Sequence, residues 1–327
     1  MAVQLALTVV TRLAVPARST GILTNLTKGV GLSSLTSTIC SGLFGRSLST
    51  SSHLKDRKVT WEAKEGVAVV HVNDPYSEVN TWSAQTKKEM MEAMEGIWYN
   101  SAVESAVVIS AKPHCFMSGV DVDMISACKS KEEATLLSQQ WQGMMKRIEC
   151  SPKPIVAAIS GWCLDGGLEF ATACQYRLAT RSRTSLVSRE ARLGLMPSAG
   201  GTQRLTKLLG PYHALEVMLE GGRINADEAL KMGLVHKVVD TLDLKYFEDI
   251  AVDCARGIVD KTIPITPEKN WAKIAHNFYN SLELGPEAGF RAESRNFGEL
   301  VMSPETNVLT APYQDLIIRY LKRKTRT

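Results

Sequence analysis

One pattern constrains this fold more than any other: a short apolar run ends at a glycine turn, gives way to a helical segment, and does so twice. AVVIS (106–110) leads to Ser118-Gly119-Val120-Asp121, and IVAAIS (155–160) leads to Asp165-Gly166-Gly167-Leu168-Glu169. Short apolar runs bounded by turn residues predict strands buried on both faces, and such strands need helices laid over them. The alternation therefore predicts an α/β fold with right-handed crossovers. Each helix that opens at a glycine turn also points free amides out of its first turn. Amides from two such turns can converge on one oxygen and stabilise negative charge developing there.

Two glutamates stand beside glycine-rich turns: Glu169 in CLDGGLEF and Glu190 in SREARLGLMPSAGGTQRL. Glu169 falls in the first turn of a predicted helix, where the macrodipole favours an anion. A predicted strand (175–180) and a predicted hairpin (181–186) separate the pair, so the fold can bring them together as acid and base. Taken singly, either glutamate reads as a solvated surface charge. It is the turns beside them that change the reading.

CFMSGVDVDM, KPIVAAISGWCLDGGLEFATACQYRLAT and LGLMPSAGGTQRLTKLLG occur in order at compatible spacing. They resemble the signature blocks of the enoyl-CoA hydratase/isomerase, or crotonase, family across roughly residues 59–240, and the resemblance returns in AESRNFGELVM (292–302). The resemblance implies a spiral of ββα turns with a C-terminal helical region. It also implies a substrate, an acyl-CoA thioester, and a reaction, hydration of a 2-enoyl-CoA to a 3-hydroxyacyl-CoA in mitochondrial fatty-acid β-oxidation. Residue by residue, it makes Glu169 the base that activates water and Glu190 the acid that protonates C2. The backbone amides of Val120 and Gly166 become the oxyanion hole, and Ser118, Gly119, Asp121, Gly167 and Val79 contact the substrate. No cofactor or metal is implied. A homotrimer or dimer of trimers is usual in the family, and its multifunctional members, whose chains continue into a dehydrogenase domain, pair with a thiolase beta subunit.

The chain departs from the family's pattern at several positions. Asp165 replaces the first glycine of a triple, Val120 stands where alanine is usual, Arg189 replaces a proline, and Asp123 replaces a lysine that helps hold CoA phosphates. A valine still supplies its amide, although its branches crowd a thioester. An unpaired Arg189 beside Glu190 would lower that acid's pKa and weaken proton donation. Two other readings stay open: an enoyl-CoA isomerase, which needs only one carboxylate to shuttle a proton, and a non-catalytic scaffold that kept the fold.

Of the 327 residues, 44% are hydrophobic, enough to fill a large core. Residues 1–55 contain no Asp or Glu, carry Arg12, Arg18, Lys28, Arg46 and Lys55, and are rich in Ser, Thr and Leu. That is a mitochondrial transit-peptide composition, and GRSLSTSSHLKD resembles a matrix-processing site. A disordered tail and a secretory signal are the rival readings. The acid-free stretch is too long for a secretory signal. Without Arg12, Arg18, Lys28 and Arg46 the net charge falls from +4 to about 0, so nothing suggests nucleic acid. The N-terminal apolar stretches are broken by cations and too short to cross a bilayer.

The cysteines form no C-x-x-C pair, and the only H-x-x-E, His213 with Glu216, has no third ligand nearby and reads as a helix-face pair. Helices are expected at 83–99 and 131–148, the second stopped by Ser-Pro-Lys-Pro, and another opens at Gly200-Gly201-Thr202. Asn225 and Gly233 should cap ADEALKM. The organisation expected is a leader and linker at 1–58, a spiral core at 59–245 and a helical region at 246–327. The basic terminus RYLKRKTRT reads as a solvated helix end.

Residues 1–58 fused to a fluorescent reporter should carry it into mitochondria, with processing between residues 48 and 59. Replacing Arg12, Arg18 and Arg46 by Glu should leave the reporter in the cytosol. Secretion or cytosolic retention of the natural fusion would remove the targeting claim.

Overall fold

The structure, a computed structural model, describes residues 56–265 together with Glu287 and Met302. The leader up to residue 55, the block 292–301 and the basic C-terminus lie outside the described residues.

The first strands, β1 (Val59–Lys64) and β2 (Val67–Val72), pair antiparallel. Glu65 and Gly66 join them with φ 50° and 81°. Positive φ at both central residues matches the right-handed twist of the flanking strands. Next come α1 (Ala84–Tyr99), β3 (Ser105–Ser110), β4 (Cys115–Met117), α2 (Val122–Ser126) and α3 (Lys131–Glu149). Both long helices begin at a serine whose side chain accepts an amide of the first turn, Ser83 from Thr86 and Ser130 from Glu133. Such caps satisfy amides that have no partner inside the helix.

The chain then passes through β5 (Ile155–Ile159), β6 (Trp162–Leu164), α4 (Gly166–Ala173), β7 (Tyr176–Thr180) and β8 (Ser185–Val187). A 3-10 turn (Glu190–Leu193) precedes α5 (Gly201–Leu209) and α6 (Pro211–Glu220). The last described elements are β9 (Ile224–Asn225), α7 (Ala226–Met232), β10 (Lys237–Val239) and α8 (Leu244–Val259). Asn225 and Gly233 cap α7 as expected, Gly233 in the left-handed region, and Glu228 completes a reciprocal capping box with Asn225.

Successive strands separate into two sheets. One runs β1-β2-β3-β5-β7-β10 and the other β4-β6-β8-β9. All pairings beyond the first hairpin are parallel except β8 with β9. Three successive passages, β3–β4, β5–β6 and β7–β8, each lay one strand in the large sheet and the next in the small sheet before a helical segment, which makes a spiral. The expected hairpin at 181–186 does not form. Thr184 N–H bonds back to Thr180 and Arg181 N–H to Val239, and the chain turns out of the large sheet. β8 then pairs parallel with β6.

Alternation along the strands divides the core. Ala68, Val70, Ala106, Val108, Ala157 and Ile159 pack with Met90, Met94, Trp141, Met145 and Phe170. Their neighbours Val67, Val69, Val107, Ile109, Val156 and Ala158 pack with Phe247, Ala251, Val252 and Ile258 of α8. Both faces of the large sheet are therefore covered, as their uninterrupted apolar runs require.

Helix α4 lies hard against β4. A Cβ at Gly167 would stand 2.4 Å from the Met117 carbonyl oxygen and 2.8 Å from its Cβ. Backbone cannot yield as a flexible side-chain end does, so Gly167→Ala should cost about 1–3 kcal/mol. A lowered urea midpoint measures this, and an unchanged midpoint would mean the helix can lift off the strand freely.

Candidate active site

Strands β4 and β6 are parallel neighbours, so the turns that follow them lie side by side. Trp82 fixes both. Its backbone pairs with the 119–121 segment, accepting from Asp121 N–H at 3.2 Å and donating to Gly119 O at 2.8 Å. Its indole N–H reaches the Gly166 carbonyl at 3.1 Å. The ring is fully buried against Phe170 and Trp141, at centroid distances of 5.1 and 5.9 Å. Ser118 is held by Asn80, whose carbonyl takes both its amide and its hydroxyl. A Cβ at Gly166 would lie 3.5 Å from the Val120 nitrogen. Among the described residues, no hydrogen bond engages the Val120 or Gly166 amide.

Glu169 is 3% exposed. Its Oε1 accepts from the amides of Ala199 at 2.8 Å and Gly201 at 2.7 Å. Two amide donors on one oxygen are an arrangement suited to an ionised carboxylate. Gly201 must be glycine for this, because a Cβ would come within 2.8 Å of that oxygen. The loop is held from behind by buried Arg204, whose Nη1 donates to Ala199 O at 2.8 Å and whose Nη2 stands 3.2 Å from Glu149.

Glu190 is 8% exposed and accepts from the Ser188 hydroxyl at 2.7 Å. Burial first, then the charges of Asp165 and Glu169, raise its pKa well above the ordinary carboxylate value, against the lowering effect of the Ser188 bond. The two glutamates thus have opposite surroundings. One is met by amides and the other is desolvated among anions.

Glu169, Glu190, Val120 and Gly166 line one cleft, with Asp165, Ser198 and an apolar wall of Val122, Ile125, Leu193, Leu195 and Met196. About 40 Å³ is open to water-sized molecules, room for a few waters. The Val120 side chain packs against the cluster that includes Ile125 and Leu195 of that wall. Ser118, Gly119, Asp121, Gly167 and Val79 are not brought to the lining. Asp121 caps α2, Ser118 hangs from Asn80, Gly119 turns the chain at φ 101°, and Gly167 clears Met117. Val79 is buried among Cys115, Leu164 and Val187. Asp123 is exposed on α2. His213 and Glu216 form an exposed pair at 3.2 Å, as expected of one helix face.

Arg189 departs from expectation. It is not unpaired, because its guanidinium lies 3.6 Å from Asp165 and its amide donates to the same carboxylate at 2.7 Å. Sequence reasoning also missed Trp82, Ser188, Arg204 and the amides of Ala199 and Gly201. Only Ser188 carried a usable sign, as a hydroxyl two positions before the acid.

Two parallel turns with unengaged amides, set over buried carboxylates at the joint of a two-sheet spiral, define a crotonase-fold protein. The chain belongs to the enoyl-CoA hydratase/isomerase family, whose profile matches residues 62–309. It is similar to an enoyl-CoA hydratase/isomerase from Xanthobacter autotrophicus, with TM-score 0.64 and 23% identity over 83% of this chain and 98% of that one. An enoyl-CoA hydratase from Bacillus halodurans gives 0.63 and 19%, over 77% and 98%. DspI of Pseudomonas aeruginosa gives 0.58 and 27%, over 79% and 99%. At these identities the likenesses establish the shared fold.

The grip behind the loop has a pH signature. Burial pushes the Glu149 carboxyl up, but the Arg204 and Lys146 charges and the Arg204 hydrogen bond outweigh it and hold its pKa below the usual value. A lowered folded pKa gives stability that is present above the unfolded value, roughly 4.3, and is lost as pH falls through the folded one. Glu149→Gln should therefore have a lower urea midpoint than wild type at neutral pH. The gap should close as the pH falls through the lowered folded pKa of Glu149. A gap independent of pH would show that the charge on Glu149 contributes nothing.

Proposed function

We propose that this protein hydrates 2-trans-enoyl-CoA thioesters to 3-hydroxyacyl-CoA. The observation that carries the reading is the contrast between two buried glutamates facing one apolar cleft, one whose oxygen is met by two backbone amides and one whose pKa burial and neighbouring anions raise. Environments that push two acids apart in this way assign the base and the acid.

In this mechanism Glu169 takes a proton from water as the water oxygen bonds to C3. The π electrons shift toward the thioester carbonyl, whose oxygen gains negative charge and meets the amides of Val120 and Gly166. Each such donor contributes about 3 kcal/mol to lowering a barrier of this type. Glu190 delivers its proton to C2 as the carbonyl re-forms. The product then holds the water oxygen, one of its hydrogens and the proton from Glu190, while the other water hydrogen, left on Glu169, passes through solvent to Glu190 and resets the pair. The apolar wall from Val122 to Met196 accommodates the acyl chain.

The signature blocks resemble the hydratase part of the mitochondrial trifunctional enzyme alpha subunit. With the acid-free leader, this supports a place in matrix fatty-acid β-oxidation, as a homotrimer or dimer of trimers and with a thiolase beta subunit as partner. The scaffold reading drew on Val120, Asp165 and Arg189. All three are accommodated in packed or paired positions, and the cleft beside them stays open.

Glu169→Gln and Glu190→Gln should each slow hydration of crotonyl-CoA by about two to four orders of magnitude, followed at the conjugated-thioester absorbance. Near-wild-type turnover by either variant would mean that glutamate has the wrong role. A protein that moves the double bond of a 3-enoyl thioester but adds no water would be an isomerase. One inert on every chain length would be the scaffold.

A further inference from the structure

Asp165 occupies an unusual place. Its backbone, at φ 51° and ψ −120°, lies where glycine is at home and an L side chain is strained. It belongs to the turn that carries the Gly166 amide, and its side chain reaches across to the turn that carries Glu190. Oδ1 accepts the Arg189 amide at 2.7 Å and Oδ2 stands 3.6 Å from the Arg189 guanidinium. Its own amide donates to Val187 O at 2.8 Å, and its carbonyl accepts from Glu169 N–H at 3.0 Å. One residue is therefore bonded to the segments bearing both carboxylates and the oxyanion turn. Because both of its oxygens face Arg189, it is poorly placed to act as a base itself.

We propose that Asp165 and Arg189 form a positioning pair, which fixes the turn presenting Glu190 to the cleft and neutralises the cation that the sequence places beside that acid. The inference rests on the hydratase reading and names the device that keeps its acid in working form. The charged groups around Glu190 come from three places. Asp165 faces it from the β6–α4 turn and Glu169 from α4, while Arg189 precedes it on its own turn. Arg192, on the same 3-10 turn, is directed to the Glu220 carbonyl of α6. The anions favour a protonated Glu190, as does its burial. An Arg189 released from Asp165 would oppose them.

The test is a charge cycle read in two ways. Full-length protein carrying carboxyl-labelled glutamate is titrated by carbon-13 NMR, the Glu190 signal being identified by its absence in Glu190→Gln. The high-pH limb of crotonyl-CoA hydration is measured in parallel. Asp165→Asn should lower the Glu190 midpoint by about one pH unit or more, since it removes an anion and frees a cation. Arg189→Gln should raise it, since Asp165 is then left unopposed. The double variant should return toward wild type, with a clearly non-additive sum. Asp165→Gly, suited to the backbone geometry, replaces Asp165→Asn if that variant does not fold. Singles that leave the midpoint unmoved, shift it in the same direction, or add without coupling would overturn the pair. Opposed and coupled NMR shifts in a protein that does not hydrate would support the pair while removing the hydratase reading. Hydration with unmoved NMR midpoints would do the reverse.

Discussion

The site depends on the close parallel packing of β4 and β6. Two strands of three residues each hold the 118–121 and 165–169 turns side by side, and the missing Cβ of Gly167 lets α4 settle onto the Met117 carbonyl. Raise that helix by one methyl group and the Gly166 amide moves away from Val120. The same movement would draw Glu169 off the amides of Ala199 and Gly201. Trp82 explains why the arrangement is rigid. It belongs to neither turn, yet it pairs with the first through its backbone and with the second through its indole.

The spiral gives this packing its reach. Because the passages β3–β4, β5–β6 and β7–β8 each supply one strand to the large sheet and one to the small, the small sheet collects turns from separate stretches of sequence. Glu169 follows β6, and Glu190 follows β8, the parallel neighbour of β6. Parallel neighbours in register bring their following turns to the same edge, so acid and base become neighbours without any contact in sequence. The large sheet is buried on both faces and serves as the stiff support behind them.

Much of this was legible. The amphipathic helices α1 and α3, the Asn225 and Gly233 caps of α7, and the continuous apolar run of β5 each carry their signal within a few residues, and they formed where expected. The short strands β4, β6 and β8 did not announce themselves, because three residues show no period. Missing β8 produced the mistaken hairpin. The glutamates were found because glycine turns adjoin them. Their surroundings were not, since amide donors at Ala199 and Gly201 belong to the backbone and have no letter of their own. Arg189 was seen as a threat to Glu190 because its partner, Asp165, lies far back in the chain and meets it only through the β6–β8 pairing.

The strained backbone of Asp165 also bears on how such a site can change. A glycine there would relax the turn at once, yet it would leave Arg189 beside a buried acid with its counter-charge gone. Replacing Arg189 first would strand a carboxylate among two others. Either single reversal crosses less favourable ground before the second improves it, so the two positions are entrenched. A backbone cost borne at one residue is thereby tied to the charge of another, and a glycine-rich turn at 165 fits this site only if both positions change together.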